Sequence, residues 1–272
     1  MLGSLNSAIT GMDAASEGMN VIGNNIANVN TAAFKGGSIS FASIYSDSVS
    51  ILGGHSGNEE GKGVQVVALS SVWEQGALES TMNPTDMALQ GDGFFQVVEN
   101  GANTYYTRAG QFRYDQDYRL TDPNGRVVQG FAFDAAGVLD TTVNVPIDID
   151  ETTYTDIRIE SDGIITGDDG TGTRFDLYQV AIFGFPNIDG LKKVSGSLYE
   201  ESSDSGAPLY ATGSIAGTNG AGEIHNNHLE MSNVDLAREF VDLIVIQKAF
   251  QANSRVISSS ADMLTEVINI IR

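Results

Sequence analysis

Cysteine is absent from the 272 residues, which removes a disulfide-stapled scaffold, a zinc ribbon and a thiol nucleophile together. Basic side chains are scarce: 14 Lys and Arg face 35 Asp and Glu, for a net charge of −21. Nucleic acid is therefore a poor partner, because phosphate binding needs a basic surface. Like charge at this level also opposes casual self-association. Long apolar runs are missing: no stretch reaches the roughly 18 residues that a membrane helix needs, so no membrane insertion is expected. The first basic residue is Lys35, which leaves no charged n-region for a secretory signal. The expectation is the cytoplasm, or an export route that reads no such signal.

Signatures of chemistry are lacking as well. There is no G-x-S-x-G, no phosphate-cradling G-x-x-x-x-G-K and no G-x-G-x-x-G after a strand. His55, His225 and His228 read as surface polar residues, with no cysteine or clear carboxylate set to complete a metal site. GDDGTGT (Gly167–Thr173) and DQDY (Asp115–Tyr118) read as acidic turns, since neither has the ligand spacing or terminal Glu of an EF-hand loop. No enzyme activity, cofactor or metal is expected.

What is present sits at the ends. Leu5, Ile9, Met12, Ser16, Met19, Gly23 and Ile26 follow a three-four spacing, an amphipathic helix with small or polar residues at two positions. The pattern at the other end is stronger. Leu236, Phe240, Leu243, Gln247, Phe250, Ser254, Ile257, Ala261, Leu264, Ile268 and Ile271 alternate four and three without a slip. Ser232, with Asp235 three residues on, resembles a capping box. A helix from Asp235 to Arg272 would be about 57 Å long. Its second face is not conventionally charged, because Val241, Ile244, Val245, Ala249, Ala252 and Val256 lie off the main stripe. A lone monomeric helix of this kind exposes too much apolar surface.

Between the ends the texture changes to short β runs separated by turn signals. FFQVV (Phe94–Val98) and TYYTR (Thr104–Arg108) flank ENGAN as a hairpin, and QFRYD, RLTD, RVVQGFAF, VNVPIDI, DIRIES, DGIIT and LYQVAIFGF follow. The roughly ten-residue spacing suits an antiparallel β domain. The span Asp134–Asp176 carries eleven acidic and two basic residues and reads as the most solvated part. Ser50–Gly63 is glycine-rich and polar and reads as a loop.

These readings give an α+β fold. An antiparallel two-helix coiled-coil stalk, 1–34 with 233–272, carries an antiparallel, mostly β outer domain at 76–210, whose acidic insert is 134–176. The intervening 35–75 and 211–232 are expected to be connecting segments. One paired stripe leaves the second apolar face of the C-terminal helix uncovered, and that surplus points to neighbouring copies or partners.

The chain resembles the bacterial flagellar axial proteins, the rod and hook subunits. The resemblance rests on GMDAASEGMNVIGNNIANVNTAAFKGG (Gly11–Gly37), NPTDMALQGDGFFQV (Asn83–Val97), YTRAGQF (Tyr106–Phe112) and SNVDLAREFVDLIVIQKAFQANSRVI (Ser232–Ile257), in that order along nearly the whole length. It implies terminal helices paired as a coiled coil lining a hollow helical tube that serves motility, with the β domain outside. It also implies passage through the flagellar type III export apparatus without a cleaved signal. The implied partners are further copies of the chain, neighbouring rod, hook and junction proteins, the export apparatus and a cap protein. Gly184–Leu209, Ile39–Tyr45 and the Ile-Arg ending resemble a short hook protein most. The short span Gly137–Tyr178 and DIRIESDGIIT (Asp156–Thr166) resemble the distal rod pattern, which is the alternative, with proximal rod beside it. A monomeric secreted adhesin or binding module is the competing class outside the family.

For a polymer of this kind the expected subunit interface comprises Leu5, Ile9, Met12, Met19, Ile22, Asn24, Asn25, Ile26 and Asn28. On the C-terminal helix it comprises Leu236, Phe240, Leu243, Gln247, Phe250, Ile257, Leu264, Ile268 and Ile271. The stripe from Leu236 to Ile271 is expected to hold the N-terminal helix, and the second face to meet adjacent subunits. Five asparagines between Asn20 and Asn30 are unusual in a helix, because the side-chain amide competes for backbone hydrogen bonds. Asn28 and Asn30 are expected to cap and turn the chain. Asn24 and Asn25 are expected to hydrogen-bond across a packed subunit contact, as a buried Asn does in a coiled coil.

Overall fold

The computed structural model describes residues 2–45, 61–99, 103–134, 137–149, 154–170 and 172–271. His55 and most of the glycine-rich Ser50–Gly63 segment lie outside the described residues, and its last three belong to a strand. The chain forms two compact units. One comprises residues 1–29, 36–72 and 234–272, the other 30–35 and 73–233.

The helical unit contains α1 (Leu2–Ala27), β1 (Gly37–Tyr45), β2 (Gly61–Ser71) and α2 (Leu236–Ile271). α2 begins one turn later than a cap at Ser232 would set it. The Asp235 carboxylate accepts the Ala237 N–H at 2.9 Å, and its carbonyl accepts the Glu239 N–H at 3.0 Å, so Asp235 is the N-cap. At the end of α1, the Asn28 amide donates to the Asn24 carbonyl at 2.9 Å and to the Asn24 side chain at 2.7 Å. The Asn24 carbonyl also accepts the Asn28 backbone N–H at 3.1 Å, so Asn28 closes the last turn with both its amides. β1 and β2 pair antiparallel from Gly37↔Ser71, with a bulge between Ser40 and Phe41. Within 35–75, residues 37–45 and 61–71 thus form a strand pair packed into the helical unit rather than a connector. The reason is visible in SISFASIY, whose alternating small and large residues suit a half-buried strand.

The β unit is antiparallel throughout its described strand pairings. Its main sheet runs Thr155–Ile159, Ile164–Asp168, Arg174–Val180, Val127–Ala132, Phe94–Glu99, Asn103–Thr107, Leu198–Glu200 and Lys192–Lys193. Doubled aromatics explain how this sheet is buried on both faces. Successive strand residues point to opposite faces, so Phe95 enters one core with Val97, Leu120, Val128 and Ile182. Phe94 enters the other with Tyr106, Phe131, Phe183, Phe185 and Tyr199. Tyr105 and Tyr106 divide the same way.

Two expectations change here. The acidic span 134–176 is not merely solvated, because Ile147, Ile149, Ile159 and Ile165 within it are fully buried in the first core. Its carboxylates alternate with those isoleucines, and counting charge alone hides the alternation. Nor is 211–232 a connector: Glu223–Asn226 pairs with Met87–Gln90, His228–Glu230 pairs with Leu78–Ser80, and Ile224 is buried in the core.

Candidate assembly interface

α1 and α2 pack antiparallel, and the register can be read from three contacts. A Cβ placed on Gly11 would lie 2.6 Å from Asn253 Nδ2, and one on Gly18 would lie 2.7 Å from Ile246 Cδ1. The Asn25 amide donates to Glu239 Oε1 at 3.0 Å. Each step of seven residues along α1 is matched by seven in the opposite direction along α2. One further step sets Ser4 level with Ser260, which is buried. The seam on α1 is therefore a heptad of small residues, Ser4, Gly11, Gly18 and Asn25, flanked by buried Ala8, Ala15 and Ile22. A side chain larger than hydrogen at Gly11 or Gly18 would force the ends of the Asn253 and Ile246 side chains to shift.

Asn25 is the node of the unit. Its side-chain amide donates to the Gly37 carbonyl at 2.9 Å as well as to Glu239, and its Oδ1 accepts the Gly37 N–H at 2.8 Å. The single buried amide joins α1, β1 and α2. Burial holds the Glu239 carboxyl above the usual carboxylate range, against the pull of the Asn25 amide. β2 approaches α1 at Gly63, whose φ of 110° and lack of Cβ let Thr10 close in, and Thr10 Oγ1 accepts the Val64 N–H at 3.3 Å.

Of the sequence-predicted interface residues, the seam takes only some. Ile22 and Asn25 are buried in it, Leu243 and Ile257 are half-buried, and Phe250, level with Ala14, is exposed. Leu5, Met12, Met19, Ile26 and Asn28 are half-buried, and Ile9 and Asn24 are exposed. Leu236, Phe240, Gln247, Leu264 and Ile268 are exposed, and the side chain of Ile271 lies outside the described residues. The stripe expected to hold α1 is thus only partly used. The helices meet through Glu239, Ile246, Asn253 and Ser260 instead, turned toward polar and small positions. Ranking residues by hydrophobicity missed them; the strict seven-residue recurrence of small residues in α1 is the signal that marks them. Asn25 is likewise spent inside the chain and is not free to bond across a copy-to-copy contact.

The consequence is a large uncovered apolar surface. On α2 Val241, Ile244, Val245, Phe240, Met263, Val267, Ile268 and Ile270 are all exposed, Ile270 by 76%. Every described side chain from Ala261 to Ile270 is exposed. Ile9 on α1 and Phe41, Val67 and Leu69 on the hairpin add to it. Scattered apolar residues on a surface are ordinary, but so many exposed in one unit point to an interaction site.

Inside the β unit three sequence motifs meet at one buried cluster. Lys35, from AFKGG, donates to Glu230 Oε1 at 2.6 Å and to the Glu74 carbonyl at 2.8 Å. Glu230 also accepts the Gly76 N–H at 3.0 Å, and Arg108, from YTRAG, lies 3.7 Å from its other oxygen. Arg108 donates further to the Gly91 and Gly93 carbonyls and stacks over Phe94. Burial holds the Lys35 ammonium below lysine's usual range, against the pull of Glu230. The cluster, closed by these hydrogen bonds and ion pairs, reads as a clasp. Among the described residues no group of three metal-ligating side chains occurs.

Three family models match the chain. They are described as "Flagella basal body rod protein" at residues 5–35, "Flagellar hook protein FlgE/F/G D1 domain" at 88–167, and "Flagellar basal body rod FlgEFG protein C-terminal" at 225–270. The flagellar basal-body rod protein FlgG of Bacillus subtilis is 36% identical over all of both chains. The FlgG of Buchnera aphidicola from Acyrthosiphon pisum is 34% identical over 98% of this chain and 99% of its own. The flagellar hook protein FlgE of Borreliella burgdorferi is 25% identical, covering 99% of this chain and 100% of its own across 444 aligned positions.

Proposed function

The chain belongs to the flagellar rod and hook axial protein family, and from that premise we propose that it is a rod-type subunit that polymerises into a hollow helical tube. As a member it is a structural protein of the flagellum and not an enzyme. The observation that carries the proposal is the uncovered apolar surface of α2 and the hairpin, on a chain of net charge −21. So much apolar area on so acidic a molecule is stable only when neighbours cover it. Contacts between unlike faces that do not close a ring give an open filament. Self-contact and contact with adjoining flagellar parts follow from this reading, as does export without a cleaved signal.

Rod is favoured over hook by length. The rod relatives align end to end with this chain, whereas the hook relative needs 444 positions for a chain of 272 residues. The shortness of Gly137–Tyr178 agrees. The hook-like stretches Gly184–Leu209 and Ile39–Tyr45 support the second reading, a short hook protein.

Electron microscopy of the assembled full-length chain tests both. A short, straight tube whose helices order on assembly is the expected result. A curved, polymorphic tube supports the hook reading. A chain that stays monomeric at high concentration, with both helices already ordered, overturns self-assembly altogether.

A further inference from the structure

Charge on the two helices is distributed in a way that the pairing within the chain does not use. From residue 2 to 34 the only charged side chains are Asp13 and Glu17. From 243 to 261 the only ones are Lys248 and Arg255. Asp13, Lys248 and Arg255 are exposed and Glu17 is half-buried. Among the described residues none of the four makes an ion pair.

The two pairs lie on different faces. Lys248 and Arg255 each follow a seam residue, Ile246 and Asn253, by two positions. That turns them about 200° round the helix, away from α1. Asp13 and Glu17 border a groove of about 370 Å³ between α1 and the hairpin, floored by Ala14, Ile44, Val64 and Val66. An apolar floor with carboxylates at the lip fits one kind of side chain, an aliphatic stem ending in a cation.

We propose that the groove edged by Asp13 and Glu17 receives Lys248 and Arg255 from the α2 of a second copy. The proposal rests on the self-assembly reading and gives it a polarity: an acidic groove on one copy takes the basic back of α2 on the next. Two unlike faces of one chain meet, so the contact propagates instead of closing. Within residues 2–34 and 243–261 no other charge is present, so along these spans the register of the contact is set by these four residues. Complementary charge of this sort fixes register and excludes wrong alignments more than it adds affinity.

Charge reversal in the full-length chain tests it, with the critical concentration for assembly as the readout. Asp13→Lys with Glu17→Lys, and separately Lys248→Glu with Arg255→Glu, should each raise that concentration by about tenfold or more, as like charges then face each other. All four substitutions in one chain restore opposite charge and should return it to within about threefold of the parent. If the parent assembles and either double variant assembles equally well, the contact is wrong. If the fourfold variant is no better than the doubles, the occupant is not α2, and the proposal falls while self-assembly stands. A parent chain that forms no polymer overturns the self-assembly reading and this contact with it.

Discussion

The β unit and the helical unit use similar amounts of hydrophobic sequence to opposite ends. In the β unit the central strands send alternate side chains into two cores, and Phe95, Val97, Phe131 and Ile182 have no exposed surface. In the helical unit Val245 is 60% exposed and Ile268 66%. The first unit satisfies its apolar residues within the chain; the second spends its seam on glycine, serine, asparagine and glutamate and turns its apolar residues outward. A helix pair joined through polar and small residues gains register and close approach, but little burial. Most helical stability comes from packing an apolar face, so this unit depends on whatever covers that face.

The sharpest way to break the comparison is at the Lys35–Glu230 clasp, which belongs wholly to the β unit. Both side chains are buried, and removing one leaves the other charged without its main partner. Lys35→Met should cost about 3–5 kcal/mol in urea unfolding of the β unit. Pairing it with Glu230→Leu should recover only part of that, since it removes the orphaned carboxylate but takes the Glu230 partner from buried Arg108 and the Gly76 N–H. A loss below about 1 kcal/mol for Lys35→Met would show that the β unit does not lean on the clasp.

Tyr199 gives a smaller effect with a pH signature. Burial pushes its phenol up to about 12, and among the described residues its hydroxyl has no hydrogen-bond partner. Unfolded tyrosine loses its proton near pH 10. Between about pH 10 and 12 the folded state therefore holds a proton that the unfolded state has released, and stability falls as pH rises through that window. The loss is about 2–3 kcal/mol in total. Tyr199→Phe should remove this limb from the pH profile of β-unit unfolding. Below pH 10 it should be neutral or stabilising by about 1 kcal/mol, because an unpaired buried hydroxyl is removed. An unchanged alkaline slope in the variant would mean that Tyr199 is not the group responsible.

The two units also differ in how far sequence reveals them. Strand positions from Phe94 to Phe183 were legible, because period-two alternation and glycine turns are local signals. The existence, length and antiparallel pairing of the helices were legible from periodicity. The seam was not. Hydrophobic residues at three-four spacing mark a face that wants burial without saying which partner buries it. Here the large residues face outward, and the close approach is made by Gly11 and Gly18. The clasp was illegible for a different reason: Lys35, Gly76, Arg108 and Glu230 lie far apart in the chain, and nothing local announces that they meet. The hairpin was missed because a polar, glycine-rich stretch separates its strands, as a connector would.

The asparagines at the end of α1 allow the finest cut between contacts made within the chain and contacts made outside it. Asn25 makes three hydrogen bonds inside the helical unit, so Asn25→Ala leaves Gly37 and Glu239 with unpaired groups at a cost of about 1–3 kcal/mol. At about 1.4 kcal/mol per decade, the critical concentration should rise by about fivefold to a hundredfold, while unfolding of the β unit stays put. Asn24 is exposed, and among the described residues its side chain receives only the Asn28 amide. Asn24→Ala exchanges that bond for better helix propensity, so its effect on the isolated chain should stay within about 0.5 kcal/mol. A rise in critical concentration for Asn24→Ala could therefore come only from a contact with another copy. If its assembly curve matches the parent's, Asn24 is a helix-end residue and the subunit contact lies on the apolar faces alone.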